Sequence, residues 1–336
     1  MTDLRFGVIG WGYWGPKIAR NLDGLPRASV TMVADMDERR LASLATNQSW
    51  VQTTTSADEV FNSHVDGVVI ATPVRSHYKL AKAALLHDKH VLVEKPLTAS
   101  VEEAEELVAL AAERGLTLMV GHTFEYSPAV NELRQLVRNG DLGRVYCVET
   151  ERLNLGLFRN DINVIWDLAP HDVSILLYLF GKVPSRVKVQ AHAHVQQRIC
   201  DNAHLDLEFA DGMSAHVHVS WLHPCKIRRV TVIGDARMVV YDDTNPAEMI
   251  KVYNKGADVH ADPVVSYRNG ATTIPHIDWV EPLRLECEDF ASAIRTGRKP
   301  RAHGEVGLAV VRVLAAAQEA LESQNGFVHM ASASLG

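Results

Sequence analysis

The stretch that decides the fold is Leu4-Arg5-Phe6-Gly7-Val8-Ile9-Gly10-Trp11-Gly12-Tyr13-Trp14-Gly15-Pro16. Its apolar run from Phe6 to Ile9 has the length of a strand buried on both faces, and it leads straight into glycines at 10, 12 and 15. Pro16 is favoured early in a helix, which predicts a helix over Pro16–Leu22. A G-x-G-x-x-G pattern alone is weak and can serve only helix–strand packing. Set between a strand and a helix, the glycines allow a tight turn and bring backbone N–H groups close to a pyrophosphate at the helix's positive end. Asp35, twenty residues past Gly15 and at the end of the next expected strand, stands where a carboxylate takes a ribose 2′-hydroxyl. Together these residues point to dinucleotide binding. A carboxylate at that place repels a 2′-phosphate and favours NAD over NADP. Arg39 and Arg40 lie near enough to receive such a phosphate and are read instead as a solvated helix face.

Outward from this stretch, two periodicities alternate. Short β-rich runs at Leu4–Ile9, Ser29–Ala34, Gly67–Ala71, His90–Val93 and Leu116–Val120 are separated by helical stretches, clearest at His77–His87 and Val101–Arg114. Such alternation implies right-handed βαβ units and an open, doubly wound parallel sheet. After Gly121 the character changes. Following a helix near Pro128–Asn139, strands come in succession: Arg144–Glu151, Ser185–Val195, Ala203–Phe209, Met213–Trp221, Lys226–Ile233 and Met238–Tyr241. Turn residues at 210–212 and 233–235 predict antiparallel neighbours. One helix, about Trp166–Leu179, interrupts the strands, two more at Pro282–Thr296 and Glu305–Ser323 close the chain, and Lys255–His276 reads as a long loop. The expected class is therefore α/β: a doubly wound N-terminal domain over 1–122 and an α+β domain with a large, mostly antiparallel sheet over 123–336.

Composition excludes several classes. The 336 residues are 47% hydrophobic and 22% charged with a net charge of −7, which argues against disorder, and no basic stripe suited to nucleic acid is visible. Four scattered cysteines form neither a zinc pattern nor a disulfide scaffold. The opening MTDLRFGVIG runs into a strand without a basic leader, and no apolar stretch approaches the ~20 residues of a membrane span. A cytoplasmic protein acting on small molecules is expected. His192/His194 and His216/His218 share strand faces, but without acidic or cysteine neighbours in sequence they read as solvated or interface histidines, and no metal is expected.

Two further stretches carry chemistry. Glu94-Lys95-Pro96 lies at the carboxyl end of a buried strand, with Ala71-Thr72-Pro73 at the same sheet edge, where open α/β sheets bind ligands. A lysine there can point its ammonium at a substrate oxygen and stabilise a developing alkoxide. Trp166-Asp167-Leu168-Ala169-Pro170-His171-Asp172 opens the interrupting helix, and the four-residue spacing puts Asp167 and His171 on one face. Pro170 argues for the first turn, where the helix dipole keeps His171 neutral and able to accept a proton; Asp167 as a simple N-cap is the plainer alternative. Arg152, Asn154 and Arg159 either bond a sugar or diphosphate or form surface ion pairs. His122 and Tyr126, just past the strand ending at Val120, have the position of pocket residues, and Trp11 and Trp14 that of a cofactor shield.

Gly10–Gly15, Ala71-Thr72-Pro73 with His77, Glu94-Lys95-Pro96 and the Asp167/His171 pair together resemble the Gfo/Idh/MocA oxidoreductase family. The resemblance covers nearly the whole chain. It implies an N-terminal Rossmann domain, a C-terminal sheet that mediates homodimers or homotetramers, and a cis proline after Lys95. It implies cofactor contacts from Gly10, Trp11, Gly12, Tyr13, Trp14, Gly15, Asp35, Ala71, Thr72, Pro73, His77, Glu94 and Lys95. It also implies catalysis by Lys95, Asp167 and His171: His171 takes the hydroxyl proton, Lys95 stabilises the alkoxide and Asp167 orients its neighbours, with the order of proton transfer between Lys95 and His171 left open. Ala169 stands where the family has Gly, which bears on how closely a sugar approaches the backbone. The stretches GYWGPKIARNL, VGHTFEYSPAV, RLNLG and WDLAPHD resemble the nucleotide-sugar members, implying oxidation at C3 of a UDP-N-acetylglucosamine-type sugar for a partner aminotransferase in surface-polysaccharide or lipid A synthesis. An inositol or free-sugar dehydrogenase, a keto-sugar reductase and a non-catalytic NAD-binding redox sensor are the alternatives; a sensor could dispense with Lys95 and His171.

Overall fold

The computed structural model describes residues 3–47, 50–259, 264–323 and 326–330. The chain divides into two compact units, residues 1–126 with 280–311 and residues 127–279 with 312–336.

In the first unit β1 (Leu4–Ile9), α1 (Gly15–Asp23), β2 (Ala28–Ala34), α2 (Glu38–Asn47), β3 (Gln52–Thr54), α3 (Ala57–Phe61), β4 (Gly67–Ile70), α4 (Val74–Leu86), β5 (His90–Glu94), α5 (Val101–Arg114) and β6 (Leu118–Gly121) follow in turn. The strands form a six-stranded sheet in the order β3-β2-β1-β4-β5-β6, parallel throughout. The order reverses between β1 and β4, which is the switch point where such sheets bind ligands beyond their carboxyl ends. β4 and β6 are buried at every residue, as continuous apolar runs require. Sequence periodicity does not mark α2, α3 or β3. Each is short or polar, and β3 is an edge strand with one buried residue.

The helix expected in the second domain at its carboxyl side, α8 (Pro282–Thr296), belongs instead to the first unit. Its Leu283, Cys287, Phe290 and Ala291 complete the core built on Phe6, Val8, Ile18 and Leu22, with the Phe6 and Phe290 rings 5.7 Å apart. Burying apolar area outweighs nearness along the chain. The division falls within α9 (Gly304–Ser323).

The second unit holds α6 (Pro128–Arg138), β7 (Val145–Leu153), α7 (Val164–Phe180), β8 (Arg186–His192), β9 (Asn202–Glu208), β10 (Ser214–Ser220), β11 (Ile227–Gly234), β12 (Met238–Asp242), β13 (Ile250–Val259), β14 (Val265–Thr273) and the short β15 (Val328–His329). Among the described residues they form a nine-stranded sheet in the order β14-β13-β12-β11-β7-β10-β9-β8-β15. It is antiparallel except for β7 against β10, because the long connection through α7 brings β7 beside a strand running the same way. One face is apolar: Val148, Leu205, Val217, Val219, Val230 and Val232 are buried, and α7 packs over β7, β9 and β10. The other face carries polar side chains, as alternation demands.

Lys255–His276 is not a loop. β13 and β14 pair antiparallel through most of it, with residues 260–263 outside the described residues. β14 is exposed along most of its length, so no apolar alternation marks it. No helix among the described residues is long and apolar enough to cross a membrane.

Candidate active site

In the first unit the glycine loop joins β1 to α1. Gly10 has φ +99°, and a Cβ there would meet the Ala71 carbonyl oxygen at 2.5 Å. A Cβ on Gly15 would run into the Gly10 carbonyl oxygen. Gly12 differs: its added Cβ would meet only the Arg40 guanidinium, at 3.8 Å. Two glycines thus close the turn while the middle one borders open space, the cradle a pyrophosphate needs at a helix N-terminus. These residues fit a bound dinucleotide.

Asp35 braces the loop from β2. Its Oδ2 accepts the Trp11 N–H at 2.6 Å and its Oδ1 the Asp37 N–H at 2.9 Å, while Arg40 Nη1 lies 3.3 Å from Oδ2. Arg39 and Arg40 do lie on the exposed face of α2, and from it Arg40 reaches Asp35 while Arg39 is held by Asp37. Tyr13 is 71% exposed and Trp14 is exposed beside it; Lys17 Nζ sits 3.4 Å from the Tyr13 ring centre and 5.1 Å from that of Trp14. Trp11 is half-buried, its indole packed against the apolar core.

At the ends of β4 and β5, Ala71-Thr72-Pro73 and Glu94-Lys95-Pro96 are tied by His77. That buried ring contacts the Pro96 carbonyl through Nδ1 and the Thr72 carbonyl through Nε2, each at 2.8 Å. Burial lowers its pKa, and His77 holds the two loops rather than facing a ligand. The Lys95–Pro96 bond is cis, as the resemblance implied. Lys95 is half-buried, its N–H donating to Glu94 Oε2 at 3.3 Å. Glu94 is buried against Gly121, behind the strand end, and burial pushes its carboxyl up to about 7 against the pull of Lys95. His122 is wholly buried, and burial and then Lys95 bring its pKa down to about 3. Tyr126 is also buried, donating to Asp289 at 2.7 Å and accepting the Ala302 N–H at 3.2 Å. Neither has the exposure of a substrate contact, because the segment after β6 turns into the core.

In the second unit α7 begins earlier than expected. Asn163 is its cap, accepting N–H bonds from Ile165 at 3.1 Å and Trp166 at 3.2 Å, so Asp167 is not. Pro170 consequently lies beyond the first turn, and its missing N–H leaves the Trp166 carbonyl without its helical donor. His171 is farther from the helix start than the dipole reaches effectively, so the dipole argument for its neutrality falls.

The Asp167 carboxylate is held from two sides. The Trp221 indole donates to Oδ2 at 2.9 Å, and Arg159 Nε lies 3.2 Å from Oδ1. Trp221, just past β10, is buried, and the Phe158 ring meets it edge-on at 5.8 Å. Sequence reasoning misses Trp221 because nothing local distinguishes it from a core tryptophan. His171 is half-buried one turn along from Asp167, and Ala169 is fully buried, its methyl turned into the fold. Arg152 is not free for substrate: its guanidinium is buried and bonds Asp172 through Nε at 2.7 Å and Nη2 at 3.2 Å. Asn154, two residues on, is half-buried.

Two of the histidines expected on strand faces do have acidic neighbours. His194 Nδ1 and His216 Nδ1 each lie 2.7 Å from a carboxylate, of Asp201 and Asp206. Cross-strand register brings Asp206 to His216, whereas His194 lies past β8 and meets Asp201 across the β8–β9 connection, outside the strand face expected for it. Among the described residues no group of three ligating side chains gathers.

A glycine loop over a parallel sheet, an acid at the end of β2 and a lysine at the end of β5 define an NAD-binding oxidoreductase. The model of the oxidoreductase family with an NAD-binding Rossmann fold matches residues 4–122, and that of the GFO/IDH/MocA C-terminal domain matches residues 130–240. The chain belongs to the Gfo/Idh/MocA family. It is 31% identical to UDP-N-acetylglucosamine 3-dehydrogenase of Acidithiobacillus ferrooxidans over 98% of this chain and 99% of that one. The solved structure of that enzyme superposes with a TM-score of 0.82 at 28% identity, covering 96% and 99% of the two chains. GenD2 from gentamicin A biosynthesis, solved in complex with NAD, gives a TM-score of 0.84 at 27% identity over 98% and 97%. Inositol 2-dehydrogenase 1 of Mycolicibacterium vanbaalenii is 32% identical over 54% of each chain.

Proposed function

We propose that this enzyme oxidises the C3 hydroxyl of a UDP-N-acetylglucosamine-type nucleotide sugar to the 3-keto sugar. The observation that carries this is the 31% identity to a UDP-N-acetylglucosamine 3-dehydrogenase across nearly the full length of both chains. The part-length similarity to an inositol dehydrogenase speaks for the chemistry but reaches only half the chain.

NAD, when bound, supplies the hydride acceptor. The N–H groups of Gly10–Gly15 hold its pyrophosphate, Asp35 takes a ribose hydroxyl, and Ala71, Thr72 and Pro73 line the nicotinamide end. His171 accepts the hydroxyl proton, and the Lys95 ammonium stabilises the alkoxide as it forms. Asp167, fixed by Trp221 and Arg159, sets the orientation of the acid–base group one turn away. Asn154 and Arg159 bond the sugar. The first unit carries the cofactor and the second the sugar, the polar face of the nine-stranded sheet pairs copies of the chain into a homodimer or homotetramer, and an aminotransferase consumes the 3-keto product.

The test is a panel of UDP-sugars, free sugars and inositols with NAD or NADP, read by the absorbance of the reduced nicotinamide. Turnover with UDP-N-acetylglucosamine and NAD, lost in Lys95→Met and His171→Ala while NAD still binds, is the expected result. Preference for inositols, or near-normal turnover in either variant, would overturn it.

A further inference from the structure

One end of the nine-stranded sheet gathers more than the Asp167 site. Trp221 follows β10, Asn154 follows β7, Arg228 lies at the start of β11, and Asp243 follows β12. β10, β7, β11 and β12 are consecutive neighbours, so these residues step in order along one sheet edge. Arg228 sits directly across from Arg152 on the α7 side of the sheet. Its Nη1 lies 3.1 Å from Asp243 Oδ2, and the Tyr241 hydroxyl donates to Asp243 Oδ1 at 3.0 Å. Beyond Asp243 a cavity of about 860 Å³ opens between the β12–β13 connection and the extended segment after β14. Met249, Ile274 and Ile277 give it apolar walls, and Trp279, 57% exposed, stands at its side with His276.

We infer that this cavity holds the nucleoside end of the substrate, with Arg228 against the diphosphate and the Trp279 indole against the base. The inference rests on the nucleotide-sugar reading and extends it to a subsite. Three features of the cavity and its surroundings select that occupant. The volume and mostly apolar lining with a few fixed polar groups are those of a small-molecule pocket, which typically runs to about 300–1,000 Å³. A guanidinium fits the planar, bidentate recognition of phosphate oxygens, and an exposed indole offers a stacking face for a base. Asp243, held by Arg228 and Tyr241, presents a fixed acceptor for an imide N–H or a ribose hydroxyl. The order along the edge also fits: β10 and β12 are three strand spacings apart, about 14 Å, with Arg228 between them, so a ligand extended from Trp221 passes Arg228 before it reaches Asp243 and the cavity.

Trp279→Ala and Arg228→Lys, made in the full chain, test this by titration with UDP and with uridine, alongside NAD as control. Trp279→Ala is expected to raise the Kd for UDP and the KM for the nucleotide sugar at least tenfold, with kcat and NAD affinity within twofold of the parent. Arg228→Lys is expected to weaken UDP more than uridine. Unchanged UDP affinity in Trp279→Ala overturns the subsite, and if sedimentation then shows a smaller oligomer, the cavity is instead a contact between copies of the chain. An unmodified enzyme that turns over nucleotide sugars while the variants behave like it sinks this inference alone. An enzyme that neither binds UDP nor uses nucleotide sugars sinks the substrate reading with it.

Discussion

The two sheets present their candidate site groups in opposite ways. The parallel sheet of the first unit presents backbone: two closed glycines, one open glycine and strand ends tied by His77. The large sheet of the second unit presents side chains, each fixed by another: Asp167 by Trp221 and Arg159, Arg152 by Asp172, Arg228 by Asp243. Backbone donors suit a ligand shared by a whole family, because nearly any sequence can supply them if the glycines stay. Side-chain networks change with one substitution, so they suit the part of the reaction that differs between relatives.

The largest effect expected from this contrast is on turnover. His171→Ala and Asp167→Asn should each lower kcat by about 10²–10⁴-fold with NAD titration unchanged; a loss of NAD binding would show that the two units do not divide the work. Next comes Arg152→Met, which strands the buried Asp172 carboxylate and should cost about 3–5 kcal/mol in urea unfolding. The double variant Arg152→Met/Asp172→Leu should regain most of that, and failure to do so would mean that the pair is not an isolated unit. The glycines then sharpen the backbone side. Gly15→Ala should destabilise the fold by about 1–3 kcal/mol, since its Cβ strikes backbone. Gly12→Ala should leave the melting temperature alone and weaken NAD about tenfold, about 1.4 kcal/mol.

The smallest effects are in pH. Glu94 is pushed up to about 7 from 4.5, so the folded state holds a proton that the unfolded chain has released, and stability falls as pH rises through that window. Glu94→Gln should remove this loss, gaining on the parent above pH 7 but not below 4.5. His122, held down at about 3 from 6.5, acts oppositely, costing stability as pH falls from 6.5 toward 3. His122→Leu should flatten that acid limb in unfolding curves measured across it.

The parallel sheet was legible because continuous apolar strands and glycine punctuation are local signals. Asp35, Lys95 and the Asp167/His171 spacing were readable for the same reason. What failed was non-local. Nothing near Arg152 announces Asp172 twenty residues away, and nothing near Tyr126 announces Asp289 on α8. The start of α7 is misleading in sequence because Trp166-Asp167 looks like a helix entry, whereas Asn163 accepts the capping bonds. The β13–β14 hairpin escaped because its outer strand buries too little to impose a period of two.

The cations around the glycine loop are already engaged. Arg40 faces Asp35 and Asp37, and Lys17 lies over the Tyr13 and Trp14 rings. What remains to grip a pyrophosphate is a set of oriented dipoles with little net charge of their own. Attraction of that kind is short in range and poorly screened by dissolved ions. Cofactor capture by this loop should therefore be almost indifferent to ionic strength, unlike that of loops that rely on a bare lysine.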